Sequence, residues 1–243
     1  MKTVIVVQAR MGSSRLPGKV LKKVLDKPLL AYLIERLDRC KLVDEVIIAT
    51  SINEQDDVLE RFCMENSVSC FRGSEDNVLE RYYLAAKEAG ASIVVRVTGD
   101  CPLIDPQIID REIQFYLDNM DNYDYVSMGL PRSYPRGIEA EVFPFRVLEK
   151  MYIEADTQVQ REHVTPYIYQ NPHIFRLGNM PNNQDLSFHR WTVDQEEDFK
   201  LIETIISNLY PVKPEFTMDD ILELFNEYPE WVEINAHVEQ III

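Results

Sequence analysis

Four short apolar runs, residues 3–8, 45–50, 68–71 and 92–97, alternate with amphipathic stretches, and this alternation restricts the fold more than any other feature. The runs are rich in β-branched residues and nearly continuous in apolar character, as strands covered on both faces are. Between the first two, Pro28 opens a helical pattern that puts Leu29, Leu30, Leu33, Ile34 and Leu37 on one face. Residues 54–66 do the same with Val58, Leu59, Phe62 and Cys63, and a third helix is expected over 77–89 with Asp76 as its N-cap. Such alternation predicts an α/β fold with a mainly parallel sheet, whose ligands bind beyond the carboxyl ends of the strands. Two of the most polar motifs follow Gln8 and Val97, at two such ends.

The second half is less regular. Helices are expected over 106–118, 144–155 and 195–209, and from Met218 to Phe225 with Thr217 as cap. Strands are expected at 124–128 and 138–143. With no internal repeat, low-complexity tract or linker, one domain over 1–243 is expected, with an excursion within 125–190 for substrate or dimer contacts. No apolar run reaches the length of a signal-peptide core or a membrane span. The four cysteines form no C-x-x-C pair and group with none of the four histidines, which disfavours zinc. Reduced thiols in a cytoplasmic protein are the plain expectation.

A formal net charge of −16 argues against nucleic acid or an anionic membrane as the main partner. Residues 1–25 nevertheless carry six basic groups and no acidic one. A cationic segment in an acidic chain suits a compact polyanion rather than a long polymer. Within it, Gln8-Ala9-Arg10-Met11-Gly12-Ser13-Ser14-Arg15-Leu16-Pro17-Gly18-Lys19 follows the first strand directly. Glycine lets backbone N–H groups approach phosphate oxygens, and serines add hydroxyl donors. Arg10, Arg15 and Lys19 supply the charge that a triphosphate needs. The spacing is neither G-x-x-x-x-G-K-[ST] nor G-x-G-x-x-G, so a P-loop ATPase or a dinucleotide-binding dehydrogenase is disfavoured.

The stretch A-R-x-G-S-x-R-L-P-G-K resembles the signature loop of the cytidylyltransferases that make CMP-activated sugar acids, such as the CMP-Kdo and CMP-sialate synthetases. Residues 97–105 (VTGDCPLID), 134–143 (YPRGIEAEVF) and 161–165 (REHVT) are similar to the SpsF-type branch, tied to spore-coat and other surface polysaccharides. The resemblance implies a three-layer α/β sandwich with a mainly parallel mixed sheet, of the nucleotide-diphospho-sugar transferase (GT-A-like) type. It also implies a homodimer, Mg²⁺ as cofactor, and CTP with a small sugar acid as substrates. The sugar hydroxyl would attack the α-phosphate and release pyrophosphate; a nonulosonic acid is the acceptor expected by pathway analogy. The rivals are a glycosyltransferase of the same fold type, a uridylyl- or guanylyltransferase, and a catalytically silent nucleotide-binding subunit.

Asp100, at a strand end beside Thr98 and Gly99, is placed to hold Mg²⁺, while Asp105 can cap the helix that follows. By resemblance Asp194, in V-D-x-x-E-D, completes the metal site; it also stands as an N-cap, with Glu196, Glu197 and Asp198 as first-turn acids complementing the helix dipole. Arg72 reads the base by resemblance, with Asp76 close to it; pairing of Arg72 with acidic neighbours is the plain alternative. Glu139 and Glu141, two apart in a strand-like run, should share a face and with Arg136 could grip sugar hydroxyls. Arg161 and His163 could meet the sugar carboxylate. A solvated surface would use all five equally well.

Overall fold

The computed structural model describes residues 1–240. β1 (Thr3–Gln8) is followed by a small hairpin, β2 (Lys23–Val24) with β3 (Lys27–Pro28), then α1 (Leu29–Leu37) and β4 (Glu45–Ser51). α2 (Asp57–Glu65), β5 (Ser69–Gly73), α3 (Val78–Glu88) and β6 (Ile93–Thr98) complete the regular alternation. After α4 (Pro106–Asp118) come β7 (Tyr125–Ser127), β8 (Glu141–Pro144), α5 (Phe145–Glu154), α6 (Gln158–His163), α7 (Pro166–Gln170) and β9 (Leu177–Asn179). α8 (Glu196–Leu209) and α9 (Met218–Glu227) close the chain. No helix of the described residues is long and apolar enough to cross a membrane.

The main sheet has the order β5-β4-β1-β6-β8-β7-β9. β8 runs antiparallel to β6 and β7, and the other pairs are parallel. Alternation along β1 sorts its side chains between two helix layers. Ile5 and Val7 pack with residues of α1, α2, α4 and α8, whereas Val4 and Val6 pack with α3 and α5. All four are fully buried, each contributing about 1.5–3 kcal/mol of apolar burial. That two-sided cover is why β1 reads as an unbroken apolar run.

From β1 the chain moves outward to β4 and β5, then returns to the other side of β1 as β6. The order therefore reverses between β1 and β6, the position where open α/β sheets bind ligands. Gln8 and Thr98 are paired in register there, so the two polar motifs leave the sheet side by side. Gly99 makes this closeness possible: a Cβ on it would lie 2.8 Å from the Gln8 carbonyl oxygen.

Several local expectations shift by a residue or more. α3 is capped by Asn77, which accepts the Glu80 N–H at 3.1 Å; Asp76 lies one residue outside, exposed. Asn caps as well as Asp, so position decides. The strand expected at 138–143 spans only Glu141–Pro144, because Gly137 (φ 100°) turns the chain just before it. Asp105 does cap α4, and Thr217 caps α9. Residues 125–190 add β7, β8 and β9 to the main sheet and α5 to α7 around its edge.

Candidate active site

Loop 8–19 is fixed from below rather than left floppy. Met11 N–H donates to Asp56 Oδ1 at 2.7 Å, and Asp56 is fully buried, also accepting from Ser51. Leu16 anchors the loop in the core, and Gly18, at φ 69°, folds its N–H back onto the Met11 carbonyl at 2.9 Å. Among the described residues, the amides of Ser14 and Arg15 are not used in the loop's own hydrogen bonds. They stay available to an anion, in the manner of other backbone anion nests.

Asp100 and Asp194 come from loops far apart in sequence and converge on one ammonium. Lys19 Nζ lies 2.7 Å from Asp100 Oδ2 and 2.8 Å from Asp194 Oδ1. A backbone zipper brings them together. Val193 N–H donates to the Asp100 carbonyl at 2.9 Å, and residues 190–191 bridge to Arg136, with Trp191 N–H on the Arg136 carbonyl at 2.7 Å. Gly137 permits that approach, since a Cβ there would sit 2.6 Å from the Trp191 carbonyl carbon.

Asp194 is not the cap of α8. Gln195 holds that position, and the capping box is closed by Asp198, whose Oδ2 accepts the N–H groups of Asp194 and Gln195, both at 3.0 Å. The freed Asp194 carboxylate takes Lys19 and, at 3.1 Å, Arg15 on Oδ1, with Arg190 on Oδ2 at 2.9 Å. Burial pushes its pKa up, but Lys19, Arg15 and Arg190 outweigh that and hold it below the ordinary carboxylate value. Lys19 mirrors this: burial lowers it, and Asp100 with Asp194 raises it further, so the ammonium stays charged. Asp198 is no solvated first-turn acid. It is fully buried and ties Arg190 and Asn235 together, which aims Arg190 at Asp194.

A cavity of about 470 Å³ opens over these groups, and Gln8, Ala9, Arg10, Ser13, Ser14 and Thr98 line it as well. A second, of about 650 Å³, adjoins it and shares Arg96, Thr98, Arg136, Glu139 and His163. In the second chamber most charges are already matched. Glu141 accepts from Arg96, Tyr125 and Thr165, and Glu139 accepts from Arg132 and, at 2.6 Å, from Gly137 N–H. Glu139 precedes β8 instead of lying in it, yet both carboxylates face the same chamber. The Arg136 guanidinium and the His163 ring have no hydrogen-bond partner among the described residues. Burial, with Arg96 and Arg10 nearby, lowers the His163 pKa against the pull of Glu162, so its imidazole is neutral at pH 7.

Four expected residues fall outside these chambers. Arg72 donates to Glu60 at 2.8 Å and to the Ser51 and Asn53 carbonyls, and pairs with Asp57 at 2.7 Å. The acids of α2 hold its Nη1, and the two backbone carbonyls take its Nε and Nη2. Asp76 is exposed, and so is Arg161, whose donor reaches only the Ala155 carbonyl at 3.4 Å. Gly12 sits behind the loop, where a Cβ would strike Gln55 Nε2 at 2.8 Å. The structure adds Arg81 and Arg96, both lining the first chamber. Each leaves a signal in the sequence: Arg96 interrupts the apolar run of β6, and Arg81 lies on the apolar face of α3, three residues after Val78.

Comparison with known proteins gives the chain its family. A chain of Leptospira borgpetersenii serovar Hardjo-bovis, described as a cytidylyltransferase, superposes with a TM-score of 0.92 at 34% identity, covering 100% of both chains. An uncharacterized protein of Methanocaldococcus jannaschii is 38% identical over 99% of this chain and 97% of its own length. The spore coat polysaccharide biosynthesis protein SpsF of Bacillus subtilis is 33% identical over 93% of this chain and 94% of its own. The cytidylyltransferase family profile matches residues 4–228, which take in the whole of loop 8–19 and both converging aspartates. The chain belongs to the cytidylyltransferase family.

Proposed function

We propose that the protein transfers CMP from CTP to a hydroxyl of a small sugar acid, releases pyrophosphate, and works with Mg²⁺. One observation carries this reading: a cationic, amide-rich loop and two converging aspartates face a chamber that opens directly into a second one containing an uncommitted arginine. Loop 8–19 suits the triphosphate, with Arg10, Arg15 and Lys19 offsetting charge on the leaving pyrophosphate. In the second chamber Arg136 suits an acceptor carboxylate.

Asp100 and Asp194 fit a divalent cation, because both offer carboxylate oxygens to the one point where Lys19 now places its charge. Two carboxylates leave further positions for phosphate oxygens and water, as Mg²⁺ prefers. When bound there, the ion neutralises phosphate charge during transfer. The acceptor oxygen forms a bond to the α-phosphorus while the bond from that phosphorus to the bridging oxygen breaks, and the electron pair leaves on pyrophosphate. His163, neutral and at the boundary of the two chambers, takes the hydroxyl proton. Incubating the protein with CTP, Mg²⁺ and a panel of sugar acids tests the proposal. Pyrophosphate release and a CMP-sugar mass are expected, and hydrolysis alone or no turnover with every acid counts against it.

A further inference from the structure

Arg81 stands apart among the charged residues of the site. It is 1% exposed, yet among the described residues its Nε and Nη1 have no hydrogen-bond partner and it joins no ion pair. A buried guanidinium without a carboxylate is costly, and such a group is tolerated where a ligand completes it. Its stem runs over the end of β5, where a Cβ on Gly73 would lie 2.9 Å from Arg81 Cγ, which explains the glycine. Burial lowers its pKa and Arg10 adds to that, while Tyr82, Asp56 and Glu75 favour the charge. None of these four is its hydrogen-bond partner.

Its place in the chamber narrows what that ligand offers. The phosphate loop and the two aspartates occupy the middle, and the acceptor chamber opens on the β8 side. Arg81 and Val78, one helical turn apart on α3, form a wall of the first chamber and line no part of the second. An apolar side chain beside a planar fork of donors suits a flat heterocycle better than another phosphate. Arg72, the other arginine at the end of β5, is consumed by Asp57 and Glu60.

We infer that Arg81 is the specificity-determining residue for the base: its guanidinium fork donates to two adjacent acceptors on the pyrimidine ring. Cytosine offers such a pair, the O2 carbonyl and the unprotonated N3. Uracil presents N3–H at the second position and sets donor against donor. The inference rests on the cytidylyl-transfer reading above, and it predicts rejection of UTP by an unpaired buried donor.

Binding of CTP and of UTP to the full chain, measured by titration calorimetry in wild type, Arg81→Met and Arg81→Lys, tests this without needing the acceptor. A good bidentate contact to a base edge is worth roughly 10–100-fold in discrimination. The CTP preference should fall by that factor in Arg81→Met, through weaker CTP binding. Arg81→Lys, charged but without the fork, should lose most of the preference too and serves if the methionine variant fails to fold. Equal weakening of both nucleotides would reduce Arg81 to a structural or general phosphate role and overturn the inference. So would preference lost in Arg72→Ala and kept in Arg81→Met. A wild type that prefers CTP but transfers it to no sugar acid would sink the acceptor reading and leave the base reading standing.

Discussion

Under loop 8–19, Arg15 and Lys19 lean on Asp194 and Asp100, and the loop amides face open space. Between β7 and α6, Arg96 and Arg132 are already closed onto Glu141 and Glu139, and among the described residues the side chains of Arg136 and His163 are left uncommitted. The first chamber is therefore arranged for a ligand that brings several negative charges and replaces the aspartates as partners of the cations. The second is arranged for a polar molecule with one anionic group, held mostly by groups whose charge is neutralised in place. Paired charges cost less to keep buried, so the second chamber can be the larger of the two without destabilising the fold. On the proposed reading, the first chamber gives up that economy for affinity toward a triphosphate.

The sharpest way to break this contrast is Asp100→Asn. The amide keeps the size but removes the anion that a hard cation needs. Turnover should drop roughly 10³-fold, with Mg²⁺-dependent CTP binding lost in calorimetry. Thermal melting should change little, because Lys19 retains Asp194. Activity near the wild-type level would remove Asp100 from the metal role.

At the boundary between the chambers, His163→Gln should cost roughly 10²-fold in kcat. The pH profile carries the mechanism. Burial and the arginines Arg96 and Arg10 depress the His163 pKa, so wild-type kcat/KM should hold down to a pH below the ordinary imidazole value of 6.5, then fall as the ring protonates. That acid limb should vanish in the glutamine variant; its persistence would assign the proton elsewhere.

Arg136→Ala sharpens the second chamber. Loss of one charge-assisted contact should raise the acceptor KM by about 10-fold or more while the CTP KM stays put. Equal changes in both would mean that the two chambers are not functionally separate.

The smallest effect is on stability. Glu112, on α4 beneath the second chamber, is fully buried with neither carboxyl oxygen hydrogen-bonded. Burial, then Glu141 and Glu139, push its pKa far up, so it is protonated in the folded state. A raised acid pKa means that stability is full below the unfolded value and is lost as pH rises above it. Glu112→Gln should therefore melt higher than wild type at neutral pH, with the gap shrinking toward pH 4. A gap independent of pH would refute the protonated assignment.

Much of the first chamber is visible in the sequence because it is local. Loop 8–19 carries its glycines, serines and cations in one run, and the apolar runs on either side announce the strands that hold it. Asp100 follows one of those runs directly. The second chamber is drawn from β7, β8, α6 and the turn at Gly137, none long enough to impose a strong period.

By itself the sequence determined the α/β alternation, and it showed the cationic, glycine-rich loop 8–19 and Asp100 beyond two strand ends, since each depends on neighbours a few residues away. Tertiary structure alone decided four other things. It released Asp194 from capping by giving Gln195 that place and Asp198 the box, and it set Asp194 against Lys19 across 175 residues. It consumed Arg72 with the acids of α2 and left Arg81 unmatched inside. The physical reason is common to all: a charged side chain's role depends on which partners reach it first, and those partners are set by the packing of the sheet, not by adjacency along the chain.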